Sequence, residues 1–256
     1  MVCGAGSATA DLATAGRQLA KDVGPAVVHV TAVIKISVEG PLAAAIGGSQ
    51  EQKSEALATI IDPSGLAVVA ESALNPTVLM GNVKIMGQTL KMSAALSDVK
   101  YRLADGTEIP AKVILKDEDL YLAFVAPAER ISAKDKKKFA VINLKNAAPQ
   151  PRLLDEFIQL SRLNEQLNYE TTVRHGRITA VIRKPRTFYT GSSSIGAPVF
   201  TLDGKVLGLC MMRRDAKTGH HNIGIMGTGA QPSGSVVIVP AEDIELITQQ
   251  AREEME

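Results

Sequence analysis

From Ala26 onward the chain is a succession of short runs rich in β-branched and apolar residues, interrupted every ten residues or so by turn signals. Such runs lie at 26–38, 56–61, 66–70, 77–80, 83–93, 99–103 and 109–115, broken at Asp62-Pro63-Ser64-Gly65, Asn75-Pro76, Gly81-Asn82 and Asp105-Gly106. Proline and glycine at these breaks set the backbone for tight reversals, so each run ends before it could become a helix. A second series follows at 139–144, 156–160, 171–183, 197–201, 206–212, 222–225 and 236–239. Many short strands with tight connections can bury their apolar faces only by closing into barrels or packing as sandwiches. The protein therefore reads as all-β, with two sets of about six strands each.

Helical spacing is confined to the ends. Leu12, Ala15, Leu19 and Ala20 recur behind a capping Asp11, and Gly24-Pro25 stops that helix. At the other end Pro240-Ala241-Glu242-Asp243 leads into Ile244, Ile247 and Ala251, with acids in the first turn where the helix dipole favours them. Between the two strand series, Lys134-Asp135-Lys136-Lys137-Lys138 closes a polar stretch of the kind that forms a solvated linker. The expected organisation is an N-terminal segment at 1–22, a first barrel at 23–130, a linker at 131–138, a second barrel at 139–240 and a C-terminal helix at 241–256.

Composition excludes several functions. Lys and Arg number 28 against 27 Asp and Glu, and aromatics are 4%, so there is neither a basic footprint for phosphates nor a set of stacking platforms for bases; nucleic acid is not an expected partner. No apolar stretch reaches the length of a transmembrane segment. Two cysteines, Cys3 and Cys210, make neither a disulfide framework nor a four-ligand zinc site, and Cys210, inside an apolar run, reads as a buried small hydrophobe. His220 and His221 are adjacent, so their side chains diverge on an extended backbone and make a poor metal site. The glycine-rich stretch 224–234 lacks the strand–loop–helix context of a dinucleotide site. No cofactor and no metal are expected. The small, uncharged opening segment ends in Ala8-Thr9-Ala10 before Asp11, a pattern that an export peptidase accepts, and a periplasmic or secreted location is the corresponding expectation.

Three segments resemble the trypsin-like serine proteases of the HtrA type. Val23-Gly-Pro-Ala-Val-Val-His-Val30 is similar to the opening strand of that family's protease domain. Ala58-Thr-Ile-Ile-Asp-Pro-Ser-Gly-Leu-Ala-Val-Val69 is similar to the strand–turn–strand that delivers the catalytic His, and Ala197-Pro-Val-Phe-Thr-Leu-Asp-Gly-Lys-Val-Leu-Gly208 to the strand pair after the nucleophile. Leu103-Ala-Asp-Gly-Thr-Glu-Ile-Pro-Ala-Lys-Val113, Gly176-Arg-Ile-Thr-Ala180 and Val236-Val-Ile-Val-Pro240 match in the same order. The resemblance implies a trypsin-like fold of two six-stranded β-barrels, a short N-terminal helix, a C-terminal helix and a cleft between the barrels.

Serine protease chemistry needs a hydroxyl nucleophile, an imidazole base and a carboxylate that orients the imidazole. Carried over position by position, the resemblance places Ser72 where the family has its His, Tyr121 where it has its Asp, and Ile195 where it has its Ser. A hydroxyl cannot serve as the base, a neutral phenol gives no counter-charge and a sec-butyl group cannot attack. The expectation is a pseudoprotease with a degenerate triad. Ser194 and Ser193 stand beside Ile195 as alternative nucleophiles of a divergent endopeptidase, but no base accompanies them. The backbone N–H groups of Ser193 and Ile195 correspond to an oxyanion hole and do not depend on the side chains. Peptide bound as an added strand in the inter-barrel cleft, or a scaffold role with a protein partner, thus remains physically open; similar proteins form homo-oligomers, and that state is left open too. Glu71, beside Ser72, reads as a solvated residue at a strand end, and 75–97 as an added hairpin.

Overall fold

The computed structural model describes residues 11–39, 49–76, 83–85, 88–129, 139–214 and 234–255. The opening segment with Cys3, the 131–138 linker, Gly81-Asn82, His220, His221 and the glycine-rich stretch up to 233 lie outside the described residues.

The polypeptide enters through helix α1 (Leu12–Val23), whose first turn is capped by the Asp11 carboxylate accepting from the Thr14 N–H at 3.3 Å. Gly16 faces Val173, where an added Cβ would sit 3.1 Å from that side chain. Strands β1 (Val27–Glu39), β2 (Ser49–Ile60) and β3 (Ala67–Ala70) follow, then a single helical turn α2 (Glu71–Leu74). The β2–β3 reversal is built as its sequence dictates: Asp62 accepts from the Ser64 N–H at 2.9 Å, and Gly65 takes a φ of +87°. After β4 (Val83–Ile85) come β5 (Gln88–Arg102), β6 (Glu108–Asp117) and β7 (Leu122–Pro127).

Their order is β1-β2-β3-β7-β6-β5-β4, with β5 also pairing β1, so six of the seven strands close into a barrel. Closure removes the sheet edges and lets the alternating side chains fill a common interior. The 75–97 segment is not a free-standing hairpin: β4 pairs residues 83–85 with 88–90, and β5 runs on for 15 residues as the strand that closes the barrel on β1.

The second unit holds β8 (Glu156–Arg162), β9 (Thr171–Arg177), β10 (Ala180–Ile182), β11 (Phe188–Thr190), β12 (Pro198–Phe200), β13 (Val206–Arg214) and β14 (Gly234–Pro240). They are ordered β10-β11-β14-β13-β12-β8-β9, with β10 and β9 unjoined. The second barrel is thus a curled half-barrel. The run at 139–144 is irregular rather than a strand, yet buries Phe139, Ile142 and Leu144 and donates the Ile142 N–H to Ile60. The expected single strand at 171–183 breaks into β9 and β10.

Helix α3 (Ala241–Glu253) buries Ile244, Thr248 and Ala251, and Arg252 Nε reaches Asp62 at 3.0 Å. Most buried side chains from both sheets form one cluster, including Val27, Ile60, Phe124, Leu160, Phe200 and Leu209. A smaller cluster of Phe157, Ile178, Tyr189, Val199, Leu207, Cys210 and Ile238 fills the half-barrel. Gly176 is what admits Phe157, since a Cβ there would lie 2.4 Å from the ring. No helix among the described residues is long and apolar enough to cross a membrane.

Candidate functional site

The rim of the first barrel brings two of the expected site residues together. Pairing of β3 with β7 sets Ala70 opposite Leu122, so the residues just beyond that pair meet, and the Glu71 N–H donates to the Tyr121 carbonyl at 3.0 Å. Ser72 is the next residue in α2 and is half-buried. Tyr121 adopts a φ of +60°, an uncommon conformation for a bulky residue, between a turn closed by Asp117 Oδ1 on the Leu120 N–H and the start of β7.

Ile195 approaches the same rim from the half-barrel. It lies in the loop between β11 and β12, in a turn in which Gly196 has a φ of +83°. That glycine is pressed on β2: an added Cβ would come 2.1 Å from the Leu57 carbonyl oxygen. Its own carbonyl accepts from Thr59 Oγ1 at 2.9 Å, and its N–H donates to the Cys210 carbonyl at 2.7 Å. Farther along β2, Ser54 donates to the Ala73 carbonyl at 2.8 Å. Three strand residues rise about 10 Å, so α2 and the Ile195 loop rest on one short stretch of β2. Ile195 and Tyr121 both pack partly buried on the main core.

The chemistry of this loop differs from that of a nucleophile. Cys210 is fully buried and its thiol, pushed up to about 12 by burial, stays protonated and donates to Ser192 Oγ at 2.9 Å. Gln159 Nε2 donates to Cys210 Sγ and to the Ser194 carbonyl, both at 3.2 Å. Ser193 Oγ accepts from Arg174 Nη1 at 3.4 Å. A thiol and a guanidinium are proton donors, so neither takes a proton from a hydroxyl. Cys210 is buried as its apolar surroundings suggest, but it is also the floor of the serine loop. The sequence carried one signal for that floor, a glutamine inside the apolar strand Phe157-Ile158-Gln159-Leu160. Arg174 carried none, because its position depends on strand register.

Neither described histidine bonds a serine hydroxyl. His175 lies on β9, 3.6 Å from Glu156. His29 is buried in β1, with Nε2 3.0 Å from the Leu163 carbonyl. A carbonyl only accepts, so Nε2 carries the proton. Nδ1 then faces Glu55 Oε1 at 3.1 Å, out of line for a hydrogen bond, and the two groups attract only when the imidazole is protonated. Tyr169 stands edge-on to the imidazole at 5.0 Å, and Arg102 lies over the Tyr169 ring at 4.6 Å. Burial pushes His29 down; Glu55 acts against this.

Glu71 corrects the sequence reading. It is 4% exposed rather than solvated, and burial raises its carboxyl above the ordinary value against the pull of Lys116. Asp117, Glu118 and Asp119 lie at the turn before β7, with Asp119 2.9 Å from Arg186 of the half-barrel. Among the described residues, no three His, Cys, Asp or Glu side chains gather as a metal site would require.

No family model and no curated protein matches this sequence. Its fold, by contrast, is shared with 337 chains of solved structures. One of them is an HtrA-type protease, AlgW, determined with a decapeptide: the match covers 95% of this chain and 68% of that one, with a TM-score of 0.56 and 14% identity. A closed six-stranded barrel, a curled half-barrel and a helix at each end, superposing on that protease over nearly their whole length, make this the trypsin-like fold of the HtrA-type proteases.

Proposed function

We propose that the protein is a catalytically inactive, HtrA-like trypsin-fold protein that binds extended polypeptide in the cleft between its two barrels. In this reading Ser72, Tyr121 and Ile195 stand at the triad positions. The observation that carries it is the state of the serine loop: Ser192 and Ser193 face a protonated thiol and a guanidinium, and no described imidazole bonds a serine. A hydroxyl without a base is a weak nucleophile, and losing one triad member already leaves only the residual rate that binding and an oxyanion hole supply.

Binding outlives the loss of the triad because it rests on main-chain groups. Among the described residues, neither the Ser193 nor the Ile195 N–H has an acceptor. AlgW was determined with a decapeptide, which supports polypeptide as the ligand class for a fold of this shape. A periplasmic or secreted location in a bacterial envelope belongs to the same proposal.

The test is incubation with fluorescently labelled unfolded casein and with a fluorophosphonate probe. Casein is expected to be retained intact and no serine to be labelled. Covalent labelling that disappears in Ser194→Ala or Ser193→Ala would replace this reading with a divergent serine endopeptidase.

A further inference from the structure

The β8–β9 register sets Arg174 directly opposite Gln159. Residues paired across antiparallel strands project from the same face of the sheet. Gln159 uses that face to hold the Ser194 carbonyl, so Arg174 stands at the free edge of the half-barrel beside the serine loop and touches Ser193. Its surroundings set it apart from its neighbours. Arg177, on the same strand, is paired with Glu156 at 2.8 Å, and Arg186 with Asp119 at 2.9 Å. Arg162 is buried and donates to three carbonyls. Arg174 is exposed, and among the described residues no carboxylate lies within ion-pair distance of it; its one bond is the long contact to a neutral hydroxyl.

A guanidinium has five donors in a planar fork suited to a carboxylate, and Arg174 commits one of them. Two main-chain N–H groups of the loop it touches have no described acceptor, that of Ser193, whose hydroxyl it contacts, and that of Ile195 two residues on. Main-chain donors gathered in a loop form an anion-binding concavity. This corner therefore offers a guanidinium and two main-chain N–H groups, and among the described residues no carboxylate within ion-pair distance of Arg174.

We propose that Arg174, with the Ser193 and Ile195 amides, is a carboxylate-binding site that selects polypeptides presenting a free carboxylate at the serine loop. The inference rests on the cleft-binding reading above and names what that cleft prefers. One carboxylate oxygen pairs with the guanidinium and the other accepts from the main-chain amides. In a cleft that no longer cleaves, the group held at this corner is the carboxylate itself rather than the developing oxyanion of a reaction. The C-terminus of a polypeptide and an Asp or Glu side chain share this chemistry.

The experiment follows the amide N–H resonances of Ser193 and Ile195 in the full-length protein. The titrants are acetyl-tetra-alanine with a free carboxylate, the same peptide as its C-terminal amide, and the amide with one alanine replaced by glutamate. The free carboxylate should shift both resonances saturably, with the C-terminal amide binding roughly ten- to a hundredfold more weakly, as expected for loss of a charged hydrogen bond. Arg174→Gln should erase the difference between acid and amide, and Arg177→Gln, which removes the same charge from the same strand, should preserve it. Equal responses to the glutamate-bearing amide and the free acid would assign the site to carboxylates in general; response to the free acid alone would assign it to polypeptide ends. Equal shifts from the acid and the plain amide, or none from either, would overturn the site. Casein retention, measured separately, then shows whether the cleft reading survives without it.

Discussion

Two polar regions join the barrels, and they are built in opposite ways. The seam behind the cleft is densely bonded. Arg162, 7% exposed, donates through Nε to Val27 at 2.7 Å, through Nη1 to Tyr169 at 2.7 Å and through Nη2 to Gly24 at 2.9 Å, while His29 reaches across to Leu163. The rim at Ser72, Tyr121 and Ile195 has an isoleucine and a phenol packed on the core and polar contacts made mainly by backbone groups. Arg162 and His29 thus tie the two units together at this seam. The rim is held by apolar packing together with the Thr59 and Ser54 hydroxyls.

Three changes would break or sharpen that contrast. The largest effect is expected from Arg162→Met. Methionine fills similar space but takes a donor from three carbonyls, of which Gly24 still accepts from the Val27 N–H, at about 1–3 kcal/mol for each one left unpaired where water cannot reach. A loss of about 3 kcal/mol or more in chemical denaturation is expected, and a loss under about 1 kcal/mol would mean that the seam is not what fixes the barrels.

Gly196→Ala probes the rim. At a φ of +83° an L-residue costs about 1–2 kcal/mol, and the new methyl must also push the loop off Leu57. The expected loss is about 2–3 kcal/mol, with weaker casein retention because the Ile195 amide moves with the loop. Unchanged stability would show that the loop does not depend on its seat on β2.

The smallest effect concerns pH. His29 titrates below its ordinary 6.5 in the folded protein because of burial, so the unfolded state binds the extra proton first. Its contribution is therefore complete above about pH 6.5 and is lost as pH falls through the lowered folded value. The groups facing the ring are Glu55 from β2, Arg162 from β8 and Tyr169, itself covered by Arg102 from β5. Thermal midpoints measured between about pH 5 and pH 8 should fall more steeply on the acid side in the wild type than in His29→Gln. In Glu55→Gln the loss should extend to lower pH, since the carboxylate that opposes burial is gone. Parallel profiles for all three proteins would remove His29 as the source.

Much of the fold was legible because strand periodicity and turn chemistry are local. Asp62-Pro63-Ser64-Gly65 and Asp105-Gly106 make the reversals that their residues prescribe, with Gly65 and Gly106 both at positive φ. The terminal helices follow from a cap at one end and first-turn acids at the other. What misled was segment identity without partners. The apolar run at 139–144 is buried without being a strand, and 88–102, which looked like separate short pieces, is one closing strand. Glu71 looked like a surface acid because nothing in Ala70-Glu71-Ser72 tells that β7 and its preceding turn cover it.

The sequence by itself determined the class of fold, the turns at Asp62–Gly65 and Asp105-Gly106 and the residue types at the expected triad positions, because each of these depends on neighbours a few residues apart. Tertiary structure alone decided that the second barrel stays open, that Cys210 and Gln159 underlie the serines, that Arg162 and His29 lock the seam, and that Arg174 stands without a carboxylate partner among the described residues beside Ser193. These contacts join residues as far as 138 positions apart, and a side chain's partner at that separation is set by register and barrel closure.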